Sequence, residues 1–196
     1  MTTETNVLKS LVDNVRTDKN TVHYYLDTYE QLFKPMRETA KNVLEIGVRD
    51  GGSMKLWHDY FPNATIYGID NMENMYSGVW PEIIKPRIKL LMPFNAYDTN
   101  LIHTFKSSGT QFDMLLDDGP HTLESMLFFA EHYTPLLTQT GVLIIEDVQE
   151  FDWIPKIVAA FPERFRSFVQ VVDLRPVHGR YDDLLVILDM NKVPQA

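Results

Sequence analysis

Residues 43–53 have the sequence Val-Leu-Glu-Ile-Gly-Val-Arg-Asp-Gly-Gly-Ser, which is typical of a buried strand, a glycine-rich turn and the start of a helix. Gly47 ends the apolar run, and Gly51 and Gly52 complete the turn. Glycine allows a ligand to approach the backbone, and the helix that begins at Ser53 offers free N–H groups in its first turn. The segment therefore predicts the first β–α unit of an α/β sheet, with a ligand-binding turn after its strand.

Further strand patterns follow this unit, with helical patterns between them. They lie at residues 65–70, 88–92, 112–117, 141–146, 168–172 and 184–188. The last two are joined by residues 173–183, a connection shorter than the dozen or more residues that a parallel crossover needs, so this pair is expected to be antiparallel. We therefore predict an α/β fold, a doubly wound, mostly parallel seven-stranded sheet with a C-terminal antiparallel hairpin.

The chain before the first strand has a helical pattern. Apolar residues at helical spacing predict one helix over residues 7–15, and Thr21 is expected to cap a second helix whose apolar stripe ends at Phe33. The length of 196 residues suits one domain. We predict a single globular unit, with an N-terminal helical extension over residues 1–40 that covers the site and a main domain over residues 41–196.

The composition argues against several classes of function. The 18 basic and 27 acidic residues give a formal net charge of −9, which disfavours nucleic acid as a partner and suits a cationic small molecule or a metal ion. The absence of cysteine excludes disulfides, thiolate zinc sites, iron–sulfur clusters and a cysteine nucleophile. No long apolar segment or secretory signal pattern is present, so we expect a cytoplasmic protein with no membrane partner. Its oligomeric state stays open, and a homo-oligomer is one alternative.

An acidic residue, Asp70, ends the second strand. In a βαβ unit such a carboxylate accepts hydrogen bonds from a ribose, which favours a nucleoside-type cofactor. The structural alternative is a plain turn with Asp70 as a helix cap. A dinucleotide is disfavoured, because bulky Arg49 lies where the dinucleotide motif has its second glycine.

Two adjacent acidic pairs follow the fourth and fifth strands, namely Asp117 with Asp118 and Glu146 with Asp147. If these strands are neighbours, their carboxylates converge and repel one another unless a cation lies between them. Oxygen ligands without cysteine select a hard ion such as Mg²⁺, with Mn²⁺ or Ca²⁺ as substitutes. Helix capping is the alternative, and it accounts for one acid of each pair.

A histidine follows the first acidic pair. His121 lies three residues after Asp118, and a loop histidine can take a proton from a substrate hydroxyl near neutral pH. The alternative is a histidine that caps or packs on the next helix. The neighbouring acids favour the general base.

These motifs together resemble a known family. Residues 43–53 with Asp70 are similar to the cofactor site of Rossmann-like S-adenosylmethionine-dependent methyltransferases. Residues 116–121, Leu-Asp-Asp-Gly-Pro-His, and residues 145–147, Ile-Glu-Asp, resemble the metal-dependent macrocin- and mycinamicin-type sugar O-methyltransferases, which are related to the cephalosporin hydroxylase group. The resemblance spans roughly residues 17–189. It implies a methyltransferase domain over residues 41–196, S-adenosylmethionine as the cofactor and Mg²⁺ as the metal.

The resemblance also implies roles for individual residues. The metal ligands would be Asp118, Glu146 and Asp147, and the catalytic pair would be His121 and Asp118. The cofactor-binding residues would be Lys19, Tyr24, Glu45, Gly47, Gly51, Ser53, Asp70, Asn95 and Asp117. This sequence departs from the family pattern at two places: Pro120 stands where relatives often have Ser, and Phe94-Asn95 stands where they often have Gly-Asp.

The resulting expectation is Mg²⁺-dependent methyl transfer from S-adenosylmethionine to a hydroxyl of a sugar or glycan. The alternatives are a catechol-type or other small-molecule O-methyltransferase, a Mg²⁺-dependent hydrolase, a non-catalytic binding module and an NAD oxidoreductase. No motif names the acceptor, although Trp80, Trp153 and the loop at Arg180 are expected to border it.

Overall fold

The computed structural model describes residues 5–73 and 81–194. In these residues, seven strands form one sheet. The strands are β1 (Asn42–Ile46), β2 (Thr65–Ile69), β3 (Ile88–Leu91), β4 (Phe112–Asp117), β5 (Leu137–Ile145), β6 (Val169–Asp173) and β7 (Leu184–Asp189). The helices are α1 (Val7–Leu11), α2 (Leu26–Phe33), α3 (Gly52–Tyr60), α4 (Thr99–Ser107), α5 (Leu123–His132), α6 (Ile154–Ala160) and α7 (Arg175–His178).

The strand order is β3-β2-β1-β4-β5-β7-β6. The pairs from β3 to β5 are parallel, whereas β7 is antiparallel to both β5 and β6. The predicted mostly parallel sheet with an antiparallel C-terminal hairpin is therefore confirmed. The order reverses between β1 and β4, because the chain returns there from β3 to the other side of β1. Ligands bind at such a reversal, outside the carboxyl ends of the strands.

The central strands β1 and β4 are buried on both faces, because helices cover the two sides of the sheet. Along β1, Val43 packs into the apolar cluster that contains α2 and α3, and Leu44 packs into the cluster that contains α4 to α6. The alternation follows from the two-residue period of a strand. It explains why these strands have continuous apolar sequences, and it forces any charged residue among them toward the strand ends.

The N-terminal segment differs from the predicted helices. α1 ends at Leu11, and α2 begins at Leu26 instead of after Thr21. Between them the carbonyl of Asp18 accepts hydrogen bonds from the N–H groups of Thr21, Val22 and His23, which makes a tight turn. α2 and the residues before it pack on the same apolar cluster as α3, and the division at residue 40 stays a prediction.

Two other boundaries also differ from prediction. Pro135 lies in a 3-10 turn over Thr134–Leu136, so α5 ends at His132 and β5 begins at Leu137, earlier than residue 141. The connection before β7 contains the short helix α7, where a loop was expected. Among residues 5–73 and 81–194, no helix combines the length and the apolar character that spanning a bilayer requires.

Candidate active site

A cavity of about 490 Å³ opens at the carboxyl ends of β1, β2, β4 and β5. Its walls include the turn after β1, the loop after β4, the loop after β5 and the N-terminal segment around Asp18 and His23. This is the position at which the reversal of strand order predicts a ligand. Of the predicted site residues, the cavity is lined by Gly47, Ser53, Asp70, Asn95, Asp118, His121, Glu146 and Asp147.

The turn after β1 depends on glycine. Gly47 has φ = 94° and Gly51 has φ = 75°, both in the left-handed region that side chains disfavour. A Cβ at Gly47 would overlap the carbonyl oxygen of Asp118. The glycine therefore lets the turn after β1 and the loop after β4 come together at the floor of the cavity.

Asp70 connects the end of β2 to this turn. Its Oδ2 accepts hydrogen bonds from the N–H groups of Val48 (2.8 Å) and Arg49 (3.0 Å), and its Oδ1 accepts one from Met72 (2.9 Å). A carboxylate oxygen can accept two hydrogen bonds, so Oδ1 of Asp70 can accept one more, for example from a ligand in the cavity. Asp70 thus holds the turn after β1 in place but caps none of the described helices, and the ribose contact stays a prediction.

Lys19 lies at the centre of the acidic residues. Its Nζ is 2.6 Å from Asp118 Oδ2, 2.5 Å from Glu146 Oε2 and 3.3 Å from Glu45 Oε1, and only 1% of the residue is exposed. Burial alone lowers the pKa of an ammonium group, but Asp118, Glu146 and Glu45 hold the pKa of Lys19 well above its usual value. Lys19 is therefore a fixed positive charge inside the acidic cluster.

Glu45 and Glu146 are the two inner carboxylates. Glu45 is fully buried and accepts a hydrogen bond from Trp57 Nε1 at 2.6 Å, and burial raises its pKa to about 7. Glu146 accepts a hydrogen bond from the hydroxyl of Tyr29. Burial, together with Asp118 and Asp147, raises the pKa of Glu146 although Lys19 opposes the shift. Both acids are held by contacts within the protein.

The outer side of the cluster is formed by Asp118, His121 and Asp147. His121 Nε2 is 3.6 Å from Asp118 Oδ1 and 3.7 Å from Asp147 Oδ2. One potential ligand atom from each of the three residues lies within 4.8 Å of the others. His121 and Asp147 have φ = 52° and 53°, a left-handed conformation that is rare outside glycine and is frequent at functional sites.

The electrostatics of Asp147 indicate crowding. Burial and the neighbouring Asp118 raise the pKa of Asp147, and His23, Tyr25 and His121 only partly offset the shift. Carboxylates held this close favour a bound cation, because it removes the repulsion that raises their pKa values. The oxygens of Asp118 and Asp147 are donors that suit a hard divalent ion, and His121 lies beside them.

Asp117, the first member of the first acidic pair, has a different environment from that of Asp118. Asp117 is buried, and its Oδ1 accepts a hydrogen bond from the hydroxyl of Tyr97 at 2.5 Å. Burial raises the pKa of Asp117 to about 7, although the hydrogen bond from Tyr97 opposes the shift. It lies outside the described cavity lining, and its predicted contact with the cofactor stays a prediction.

Three tyrosines of the N-terminal segment make contacts that differ from those expected from the sequence. Tyr24 stacks on His178 with ring centroids 3.6 Å apart, and it is absent from the described cavity lining. Tyr25 and Tyr29 belong to the stripe of the expected second helix that ends at Phe33, and they are buried but donate their hydroxyl hydrogens to Asp147 and Glu146. The only available signal was the presence of hydroxyl groups on an otherwise apolar stripe. Among the expected acceptor residues, Trp80 lies outside the described residues.

Comparisons with known proteins agree with this geometry. A family described as "Methyltransferase domain" matches residues 44–148, more than half of the chain. The 8-demethyl-8-alpha-L-rhamnosyl tetracenomycin-C 2'-O-methyltransferase of Streptomyces olivaceus is 28% identical over 159 residues, which cover 78% of this chain and 40% of that protein. Mycinamicin VI 2''-O-methyltransferase of Micromonospora griseorubida is 26% identical, over 67% of this chain and 33% of that protein.

Solved structures show the same fold. The MycE methyltransferase in complex with Mg, SAH and mycinamycin VI has a TM-score of 0.68 and 18% identity, and the match covers 97% of this chain and 56% of that chain. Human methyltransferase-like protein 13 in complex with SAH has a TM-score of 0.61 and 17% identity, over 83% of this chain and 78% of that chain.

The chain spans about 40% or less of the length of the antibiotic-sugar relatives described above. Within that span, the family match contains the turn after β1 and both acidic pairs. The resemblance that these motifs indicate is confirmed. The chain belongs to the methyltransferase domain family.

Proposed function

We propose that this domain transfers a methyl group from S-adenosylmethionine to a hydroxyl of a sugar, and that the reaction depends on a divalent metal ion, with Mg²⁺ as the leading candidate. The observation that carries the proposal is the convergence of Asp118, His121 and Asp147 on a cavity that the glycine turn also lines. The names of the two curated relatives, both sugar O-methyltransferases of antibiotic synthesis, support the class of acceptor.

The cavity suits a nucleoside-sized cofactor. Its volume of about 490 Å³ lies within the range of small-molecule sites. Ser53 at the start of α3, Asp70 and Asn95 line it, and we assign them to the cofactor together with Gly47 and Gly51. The other residues assigned to the cofactor are absent from the described cavity lining and would support the lining residues: Glu45, Asp117, Lys19 and Tyr24. When bound, S-adenosylmethionine supplies a methyl group on a positively charged sulfur, which suits a site of net negative charge.

The metal would be held by Asp118 and Asp147, with Glu146 as the third acid. Asp118 Oδ1 and Asp147 Oδ2 lie toward His121 at the cavity, whereas both oxygens of Glu146 contact Lys19 and Tyr29. When bound, Mg²⁺ lowers the pKa of a coordinated hydroxyl. The residues present fit such an ion, because one carboxylate oxygen each of Asp118 and Asp147 lies within 4.8 Å of the other at the cavity, and oxygen ligands suit Mg²⁺.

His121 would act as the general base. Its ring lines the cavity and is about a quarter exposed, so an acceptor hydroxyl can reach it. In taking the proton His121 becomes a cation, which Asp118 and Asp147 stabilise from 3.6 and 3.7 Å. Holding the hydroxyl oxygen in line with the methyl group then supplies much of the rate enhancement.

The test is methyl transfer by the His121→Ala variant. We expect binding of S-adenosylhomocysteine to be retained and turnover to fall at least about 100-fold, the usual contribution of a general base. His103→Ala is the matched control, because His103 lies on α4 outside the described cavity lining. The assay measures one added methyl by mass across rhamnose-containing, other glycoside and catechol acceptors. Full activity of His121→Ala would overturn the assignment of the base.

A further inference from the structure

A second group of buried acids lies at the start of β7. Asp182 and Asp183 are 5% and 0% exposed, and His23 of the N-terminal segment, 5% exposed, lies against them. His23 Nδ1 is 2.6 Å from Asp183 Oδ1. One potential ligand atom from each of the three residues lies within 4.8 Å of the others.

Two oxygens of this group lack a partner. Among the residues that the structure describes, Asp182 Oδ1 and Asp183 Oδ2 are buried and have no hydrogen bond. Buried carboxylate oxygens are costly in that state, and in native proteins they are satisfied by water or by an ion. The unpartnered oxygens therefore point to a ligand at this group.

The charges nearby point to a cation. Asp147 Oδ1 is 3.5 Å from His23 Nδ1, so three carboxylates surround the imidazole. Arg180 is the guanidinium at this group, with its Nη2 2.8 Å from Asp182 Oδ2 and its Nε 3.7 Å from Asp183 Oδ1. Arg180 thus binds Oδ2 of Asp182, and Oδ1 of the same residue has no hydrogen-bond partner. Residues that surround a metal site orient its ligands by contacts of this kind.

We propose that His23, Asp182 and Asp183 bind a divalent transition-metal ion, separate from the ion at Asp118 and Asp147. One imidazole with carboxylates suits Mn²⁺ or Zn²⁺. The 2.6 Å between His23 Nδ1 and Asp183 Oδ1 is a hydrogen-bond distance, and an ion bound to both atoms would replace the shared proton and widen their separation to about 3 Å. The proposal does not depend on methyl transfer, because none of these three residues is assigned to that reaction.

The ion would join two distant parts of the chain. His23 and Asp183 are 160 residues apart in sequence, and the segment that carries His23 also carries Lys19 and Tyr25. A metal bond at His23 would hold this segment against β7. The consequence is slower amide hydrogen exchange in residues 19–25 when the ion is bound.

The experiment counts Mn²⁺ bound per chain, by electron paramagnetic resonance and calorimetry on the full chain. We expect Asp183→Asn to bind one Mn²⁺ fewer than the unaltered protein and to lose the Mn²⁺-dependent protection of residues 19–25. Asp173→Asn is the matched control, because Asp173 is an exposed acid on β6 paired with Arg175, and it should keep the full count. Asp118→Asn should lose the other ion and keep this one.

Two further variants keep the test informative if Asp183→Asn does not fold. Asp182→Asn and His23→Gln each remove one proposed ligand, and circular dichroism checks that each variant is folded. Loss of one Mn²⁺ in any folded variant of the three supports the site. An unchanged count in all the folded variants would overturn it and would assign the unpartnered oxygens to water.

Discussion

Lys19 brings one positive charge into contact with carboxylates from the ends of three neighbouring strands. Glu45 lies in β1, Asp118 follows β4 and Glu146 follows β5. Removing one partner of a buried ion pair leaves the other charge uncompensated, which costs far more than an exposed pair contributes. Lys19 therefore stabilises the acidic site in the absence of any ion.

At this scale we predict that Lys19→Met lowers the free energy of unfolding by about 3–5 kcal/mol, measured by urea denaturation without divalent metal. Mg²⁺ should restore part of the loss, because it supplies the missing positive charge. Lys9→Met is the control, since Lys9 pairs with Asp27 at the surface and should cost about 1 kcal/mol at most. Equal costs for the two variants would contradict the role of Lys19.

Gly47 gives a second prediction at the residue scale. Gly47→Ala adds a Cβ that overlaps Asp118 and forces alanine into φ = 94°. Gly109→Ala is a matched control, because Gly109 has φ = 67° and no heavy atom lies within 4 Å of an added Cβ there. The control should cost about 1–2 kcal/mol of strain. Gly47→Ala should cost more and should also weaken S-adenosylhomocysteine binding in calorimetry, whereas equal losses would count against the close approach.

At the scale of elements, the sequence was sufficient where periodicity and turns decide the structure. The strand patterns at residues 43–47 and 112–117 correspond to β1 and β4, because apolar runs in a covered sheet admit few alternatives. The segment before α2 could not be predicted, because His23 and Tyr25 form hydrogen bonds with acids more than 120 residues away. The hydrophobic spacing within the segment does not predict these long-range contacts.

Helix capping is testable at the same scale. Asp98 caps α4, and its side chain accepts a hydrogen bond from the N–H of Asn100. Asp98→Ala should lower the free energy of unfolding by about 1 kcal/mol, whereas Asp98→Asn should preserve most of it. Because α4 lies beside the sheet and Asp98 is outside the described cavity lining, S-adenosylhomocysteine affinity should not change. A changed affinity would show that α4 is coupled to the site.

For the molecule as a whole, the site residues that could be predicted are those placed by the strand ends. Strand order brings Asp118 beside Asp147, and both acids were identified from their adjacency to apolar runs. The position of Lys19 between Glu45, Asp118 and Glu146 depends on how the N-terminal segment packs across the sheet. That packing is a property of the assembled fold: the family resemblance places Lys19 at the site, but its polar sequence surroundings do not predict its contacts with the three acids.

Because the cavity is lined by residues from several strand ends and from the N-terminal segment, ligand binding should stabilise the entire fold. S-adenosylhomocysteine should raise the melting temperature, and at 100 times its dissociation constant the gain is about 2.7 kcal/mol. Adding Mg²⁺ should raise the melting temperature further, and a chelator should reverse that increment. NADH is the comparison ligand. A shift with NADH and none with S-adenosylhomocysteine would contradict the proposed cofactor.

The long reach of the N-terminal segment has a consequence for biosynthesis. Lys19 and Glu146 are 127 residues apart, and His23 and Asp183 are 160 apart. On a translating ribosome Lys19 and Glu45 emerge early, whereas Asp118 and Glu146, the other partners of Lys19, and Asp183, the partner of His23, exist only after the later strands have been made. The pocket is thus among the last features that a nascent chain can acquire.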